Sequence, residues 1–343
     1  MADVASLAGV SHQTVSRVLN SHPSVRPATR RRVLGAIEQL GYRPNLAARA
    51  LVTGRSRALG LVTLDTTLYG PVATLYGIEH AARDAGYVVS VVSLRSIDRD
   101  SMEEAIGRLT QQAVAGVIVI APLASAESAL TGVRADLPVV VVEGDLNADL
   151  AVVTVDQHAG ARAATEHLLA LGHTTVFHVA GPQEFVEARA RMAGWRAALA
   201  DAGAPIPDHL DGDWTARAGY RAGRTLAGMP EASAVFVAND QMALGVLRAL
   251  TECGRQVPGD VSIVGFDDID ESEYFTPPLT TVHQDFGEVG RRSMGLLLAQ
   301  LETGQRLLER VVVHPRLVLR QSTAAPRRRG GRPEEGMLHR GAR

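Results

Sequence analysis

Apolar positions recur at helical spacing in short bursts up to Gly41, and beyond residue 58 they gather into strand-length blocks. In the opening stretch Val4, Ala5, Leu7 and Ala8 give an apolar side to a short helix that Asp3 can cap. Gly9 supplies a turn, since it tolerates positive φ where a side chain would clash. Ser11 then caps a second helix running to about Leu19 or Asn20. Val15, Val18 and Leu19 of that helix face inward, and His12, Gln13, Ser16 and Arg17, all hydrogen-bonding types, lie opposite. Pro27 suits the first position of a third helix, whose Val33, Ile37 and Leu40 complete a small core before Gly41 ends it. Further on, "ALGLVTL", "YVVSVVSL", "AGVIVI" and "PVVVVE" read as buried parallel strands, separated by helix-length segments such as 74–85 and 100–113. The pattern restarts with "TTVFHVA", "AVFVAND" and "DVSIVGFDD". The fold class is therefore an N-terminal all-α head followed by an α/β body of two doubly wound subdomains. Ligands bind such bodies beyond the carboxyl ends of strands, which points to Asp65, Glu143, Asn239, Asp240, Asp267 and Asp268.

Charge separates the same regions. The net charge of −2 conceals nine arginines against Asp3 and Glu38 in residues 1–58, and six arginines against Glu334 and Glu335 from Pro326 onward. The stretch between is strongly acidic. A basic head on an acidic body is the signature of a polyanion-binding arm on a domain that does not bind the polyanion. Lysine is absent, which reflects genomic base composition rather than chemistry. The lone cysteine, Cys253, cannot form a bridge within the chain and fits a reducing cytoplasm. No run reaches the length of a membrane span, and Asp3 and Ser6 interrupt any signal-peptide pattern.

A small helical unit with a polar, arginine-bearing face suits a helix-turn-helix reader of DNA. Arg17 can pair with guanine and Gln13 with adenine in the major groove, while Ser11, Thr14 and Ser16 can reach phosphates. Singly, each is as well explained as a solvated surface residue. As a whole, "DVASLAGVSHQTVSRVLN" (residues 3–20) resembles the head of the LacI/GalR family of transcriptional repressors. That resemblance implies base reading by His12, Gln13 and Arg17, with Asn20 closing the DNA-contacting stretch. Only Met1 and Ala2 precede the motif, fewer residues than the family usually carries, which fits either a start codon further upstream or a frayed first helix.

"YRPNLAARALVTGRS" (residues 42–56) resembles the family's hinge segment. Pro44 breaks the chain from the third helix and Asn45 can cap a short new one, too short to be stable alone and expected to fold when paired on DNA. Ala47, Ala48 and Leu51 line one face, and the resemblance assigns Leu51 to a wedge between base pairs in the minor groove.

The resemblance extends over residues 59–325, implying a periplasmic-binding-protein-like body, and is carried by "AGPQEFVEARARMAGW", "GDW", "FVANDQMALGVLRAL", "VSIVGFDD" and "PPLTTVHQDF". It is nearest to a sugar-responsive member. The ligand-site positions it implies are Glu143, Arg191, Trp214, Asn239, Asp267, Gln284 and Phe286. Carboxylate, amide and guanidinium groups suit sugar hydroxyls, and an indole gives a flat face for a pyranose ring. Glu143, Glu187 and Val155 depart from that member, which has aspartate, serine and phenylalanine there. Alternatively, Asn239 and Asp240 cap the helix that follows, with Asp240 the better fit, and Trp214 belongs to the core.

No Walker loop, nucleophile elbow, dinucleotide fingerprint or metal-ligand spacing is found, so neither an enzyme nor a cofactor is expected. The expected layout is a DNA-binding head at 1–43, a hinge at 44–58, a two-lobed effector and dimerisation body at 59–325 and a disordered tail at 326–343. The tail has no heptad repeat, so the assembly expected is a homodimer. The implied function is a cytoplasmic, nucleoid-associated repressor that binds operator DNA and is released by a galactoside-like sugar, without a membrane role. A regulator using its ligand as corepressor, or a sugar-binding protein with no DNA role, are the alternatives.

Overall fold

The computed structural model describes residues 1–19, 22–42, 56–64, 67–123, 129, 137–143 and 150–327. Asn20, Asp65, the hinge residues Asn45, Ala48 and Leu51, and the tail beyond Arg327 lie outside the described residues. The chain divides into two compact units, Met1–Arg57 and Ala58–Arg343.

The first unit holds α1 (Ala2–Ala8), α2 (His12–Leu19) and α3 (Pro27–Gln39). Their shared core is Val4, Ala5, Ala8, Val15, Val18, Val33 and Ala36, with Leu19 and Ile37 packed against it. Gly9 ends α1 at φ 62°, and its N–H returns to the last turn. The Ser11 hydroxyl accepts from the Thr14 N–H at 3.2 Å and starts α2. Three expectations are corrected. Asp3 lies inside the first turn of α1 rather than at its cap, where its carboxylate still meets the positive end of the helix. Leu7 and Leu40 are exposed, because Leu7 lies to the side of the stripe formed by Val4, Ala5 and Ala8, and Leu40 comes just after α3 ends at Gln39.

The second unit carries two sheets whose inner strands are buried on both faces, as parallel sheets covered by helices require, while the edge strands are partly exposed. The first sheet orders its strands β11 (Arg310–Val313), β5 (Ala151–Val155), β4 (Val139–Val142), β3 (Val117–Ile120), β1 (Ala58–Leu64) and β2 (Val88–Leu94), every pair parallel. Its helices are α4 (Tyr69–Asp84), α5 (Arg99–Gln111) and, from much later in the chain, α10 (Phe286–Thr303). The second sheet runs β12 (Arg316–Val318), β10 (Thr280–His283), β9 (Ser262–Asp267), β8 (Ala234–Val237), β6 (Phe177–Ala180) and β7 (Leu210–Asp211), parallel except for β12. It is flanked by α6 (Gln157–Ala170), α7 (Val186–Asp201), α8 (Ala216–Ala227) and α9 (Asp240–Glu252).

The chain crosses between the lobes three times, after β5, after β10 and after β11. β5, β7, β10, β11 and β12 were not read from the sequence, and all of these but β5 are four residues or shorter. Ala58, expected in the linker, is the first residue of β1 and pairs with Val88. Arg327, expected in the tail, donates to Asp260 Oδ1 at 2.9 Å and Gln256 Oε1 at 3.0 Å, so two charge-assisted bonds fix it to the body.

Close helix contacts depend on particular glycines. A Cβ on Gly77 of α4 would meet the Phe286 carbonyl oxygen at 2.2 Å, and one on Gly290 of α10 would meet the Gly77 backbone at 2.2 Å. Between α8 and α9, a Cβ on Gly219 would stand 2.0 Å from the Met242 carbonyl oxygen. These contacts set the height of the helices over each sheet and so the position of the residues at strand ends.

The DNA-reading face and a buried cleft

In the head, α2 buries Val15 and Val18 and leaves His12, Gln13 and Arg17 exposed. Ser11 and Thr14 bring their hydroxyls within 3.0 Å of each other at the start of this helix, and Ser16 is half-buried. One side of α2 is thus fixed by packing, while the other presents a guanidinium, an amide and an imidazole on a rigid base.

In the body, two small adjoining hollows open where the carboxyl ends of the two sheets face each other. The first is bounded by Tyr69, Glu187, Arg191, Trp214, Asn239 and Asp267, and the second by Glu143, Gln157, Glu187, Arg191, Gln284 and Phe286. All seven ligand-site positions implied by the sequence are therefore brought to one place. Asp240 and Asp268, also at strand ends, are not among the lining residues. Asp240 is fully buried and accepts from the Ile269 N–H at 3.0 Å and the Thr281 hydroxyl at 2.6 Å, tying β9 to β10. Asp268 accepts from Arg320 at 2.7 Å and pairs with His283 at 2.9 Å.

Four buried side chains close a ring beneath the hollows. Arg191 Nε donates to Gln157 Oε1 at 2.9 Å, Gln157 Nε2 to Gln284 Oε1 at 2.8 Å, and Gln284 Nε2 to Asp267 Oδ1 at 2.7 Å. Arg191 Nη2 returns to Asp267 Oδ1 at 3.7 Å. Gln157 begins α6 directly after the first crossing, and Gln284 sits in the second, so the ring binds the floor of the site to the segments joining the lobes. The Arg191 guanidinium also lies 3.9 Å from the Phe266 ring centroid, which holds its plane. A direct bridge between lobes, Leu123 with Phe185, and a bond from the Val186 N–H to Pro122 O at 2.9 Å close one wall.

Several of these residues hold unusual backbone conformations. Glu143, Trp214 and Asp267 have φ of 61°, 69° and 106°, in the left-handed region that side chains other than glycine avoid. Gly181 makes room for the indole, since a Cβ there would lie 2.2 Å from the Trp214 ring. Phe185 meets the same ring edge-on, with centroids 5.7 Å apart. Phe286 and Tyr69 pack edge-to-face at 5.9 Å across the other side.

Asn239 does two jobs. Its Oδ1 caps α9 by accepting from the Met242 N–H at 2.9 Å, and its Nδ2 donates to the Trp214 carbonyl at 3.1 Å, so the cap falls to Asn239 and not to Asp240. Burial raises the carboxyl groups of the cleft. Asp267 is pushed up to about 6 against the pull of Arg191 and Gln284, and Glu143 to about 7. Glu187 rises to about 8 by burial and by the nearby charge of Glu143. Tyr69 is raised to about 12 by burial and surrounding acids. Tyr69 and Gln157 were not found from sequence. Gln157 carries the one available signal, a polar residue just past a strand-like run, as Gln284 does.

Comparison with known proteins fits both halves of this geometry. Residues 1–45 match the family described as bacterial regulatory proteins, lacI family, and residues 165–323 match a periplasmic binding protein-like domain. The lactose operon repressor of Escherichia coli (strain K12) is 36% identical over 329 residues, covering 94% of this chain and 90% of its own. This chain belongs to the lacI family. Among solved structures, the lac repressor dimer bound to operator and the anti-inducer ONPF superposes with a TM-score of 0.81 at 35% identity, covering 94% of this chain and 98% of that one. A complex of the transcriptional regulator CelR with cellobiose gives 0.70 at 33%, covering 93% and 98%. These relatives are transcriptional regulators and not enzymes. Among the described residues of this lacI-family chain no helix is long and apolar enough to cross a membrane, and no cluster of acids, histidines and cysteines could hold a metal ion.

Proposed function

We propose that this lacI-family chain is a transcriptional repressor that binds a near-palindromic operator as a homodimer in the cytoplasm, at the nucleoid, and is released by a small sugar. The observation that carries the proposal is the ring of Arg191, Gln157, Gln284 and Asp267, because it joins a polar cleft to two of the segments between the lobes. A ligand that binds those side chains more tightly in one lobe arrangement shifts the equilibrium toward it by that difference in affinity.

Each part has a role. His12, Gln13 and Arg17 read base edges, while Ser11, Thr14 and Ser16 hold phosphates. Asn20 extends that contact, and Asn45, Ala48 and Leu51 form the hinge that enters the minor groove. In the cleft Trp214 and Phe286 supply apolar faces. Glu143, Asp267, Arg191, Asn239 and Gln284 supply polar contacts. The lac repressor dimer on its operator supports two heads on two half-sites, and the cellobiose complex supports a sugar in the cleft.

The test is fluorescence anisotropy on the DNA upstream of the chain's own gene, with galactosides, other sugars and purines titrated in. Release of DNA by a sugar is expected. A ligand that tightens the complex would make it a corepressor, and failure to bind any palindromic upstream site would overturn the DNA role.

A further inference from the structure

We infer that the effector carries a protonated amine, as an amino sugar does, set against Glu143 and Glu187. This deepens the sugar reading and rests on it. Four charged side chains line the two hollows among the described residues: Glu143, Glu187, Asp267 and Arg191. Arg191 is already committed, to Gln157, to the Ala238 carbonyl and to Asp267, while Asp267 accepts from Gln284. The hydrogen bonds of Arg191 are therefore taken, and its single charge, which pulls on Glu143 and Glu187 as well as on Asp267, has three carboxyl groups to serve.

Glu143 and Glu187 are also short of hydrogen bonds. Glu143 is only 7% exposed, yet neither of its carboxyl oxygens makes a well-formed hydrogen bond among the described residues, although Gln157 and Thr154 stand close enough to pull its pKa down, and Glu187 Oε2 makes none. Both residues line the second hollow, and Glu187 lines both. An ionised carboxylate accepts and cannot donate, so whatever binds must bring donors. Hydroxyls of a neutral sugar bring donors but no charge, so they suit the pair only while it stays protonated, whereas a cation is needed to stabilise the ionised form. An ammonium brings three donors and the missing charge together. The Trp214 ring at the edge of the first hollow offers an apolar face to the carbon skeleton. The other polar groups facing the pair are Arg191 and the neutral Gln157, with Asp267 and Tyr69 beyond them. None is a free cation.

Because burial holds both glutamates partly protonated near neutrality, with the charge of Glu143 raising Glu187 further, a bound cation would drive them to ionise and would expel protons.

The experiment is calorimetry of the full chain at pH 7 with glucosamine and galactosamine beside glucose and galactose, in two buffers of different ionisation heat. The expected result is binding of an amino sugar about tenfold or more tighter than its parent hexose, as a charge-assisted hydrogen bond provides, with net proton release. Glu143→Gln and Glu187→Gln should each lower that ratio toward unity, a readout that a general loss of fold would not produce. Equal or tighter binding of the parent hexose overturns the amine inference, and if that hexose also releases operator DNA the sugar reading survives alone. Failure of all four sugars and of every galactoside to bind overturns both. A preference for the amino sugar that neither substitution reduces overturns the assignment to this pair.

Discussion

Arg191 and Arg17 put the same chemical group to opposite uses. Arg191 is buried and held on every side, so its guanidinium is an anchor for Asp267 and the floor of the cleft. Arg17 stands exposed on α2 with its forked donors available. Arg17→Ala should therefore leave the fold intact and cost about 1–3 kcal/mol of preference for the cognate half-site, measured as the affinity ratio between operator and scrambled DNA. Protonation adds a second expectation at this scale. Glu143 and Glu187 have folded values raised above the ordinary 4.5, so the folded state holds their protons more tightly than the unfolded chain does. The stability they contribute is present below about 4.5 and is lost as pH rises through about 7 and 8. Urea unfolding of the ligand-free body should show lower stability at pH 9 than at pH 5, and Glu187→Gln should flatten part of that fall. The polar residue types after each strand pointed to this cleft. Which of Asn239 and Asp240 caps α9 was not legible, because both suit the position. The choice follows from Asn239 holding an extended backbone at φ −153°, a long-range outcome of how β8 enters the helix.

At the level of elements, strands that are apolar throughout declared themselves, since β3, β4 and β8 are buried on both faces. β11 and β12 did not, because each spans only three or four residues at a sheet edge, begins with an exposed arginine and is only partly covered. Helix contacts were equally silent: Gly77 and Gly290 look like poor helix residues until α4 and α10 are seen to touch through them. Gly77→Ala should destabilise the body by about 1–3 kcal/mol, because the obstruction is backbone and cannot rotate away. Gly181→Ala should act nearer the site by displacing the Trp214 ring, read as a change in tryptophan emission and weaker sugar binding, with operator affinity kept.

On the scale of the whole molecule, the asymmetry of charge sets how the regulator meets DNA. With nine arginines in residues 1–58 and an acidic body behind them, operator affinity should fall steeply with salt, and the body should repel the duplex. The slope of log affinity against log salt measures how many phosphates are neutralised, and Arg17→Ala should barely change it if Arg17 reads bases. The three crossings between lobes also govern how the chain comes to be folded. When synthesis has reached His283, the second lobe lacks only β12 and the segment after it, while the first, begun at Ala58, still waits for α10 and β11. The later lobe can thus close before the earlier one. A protein shortened at its C-terminus to residue 285 would expose the sheet face that α10 covers, so neither lobe can be cut out or exchanged as one continuous piece of gene.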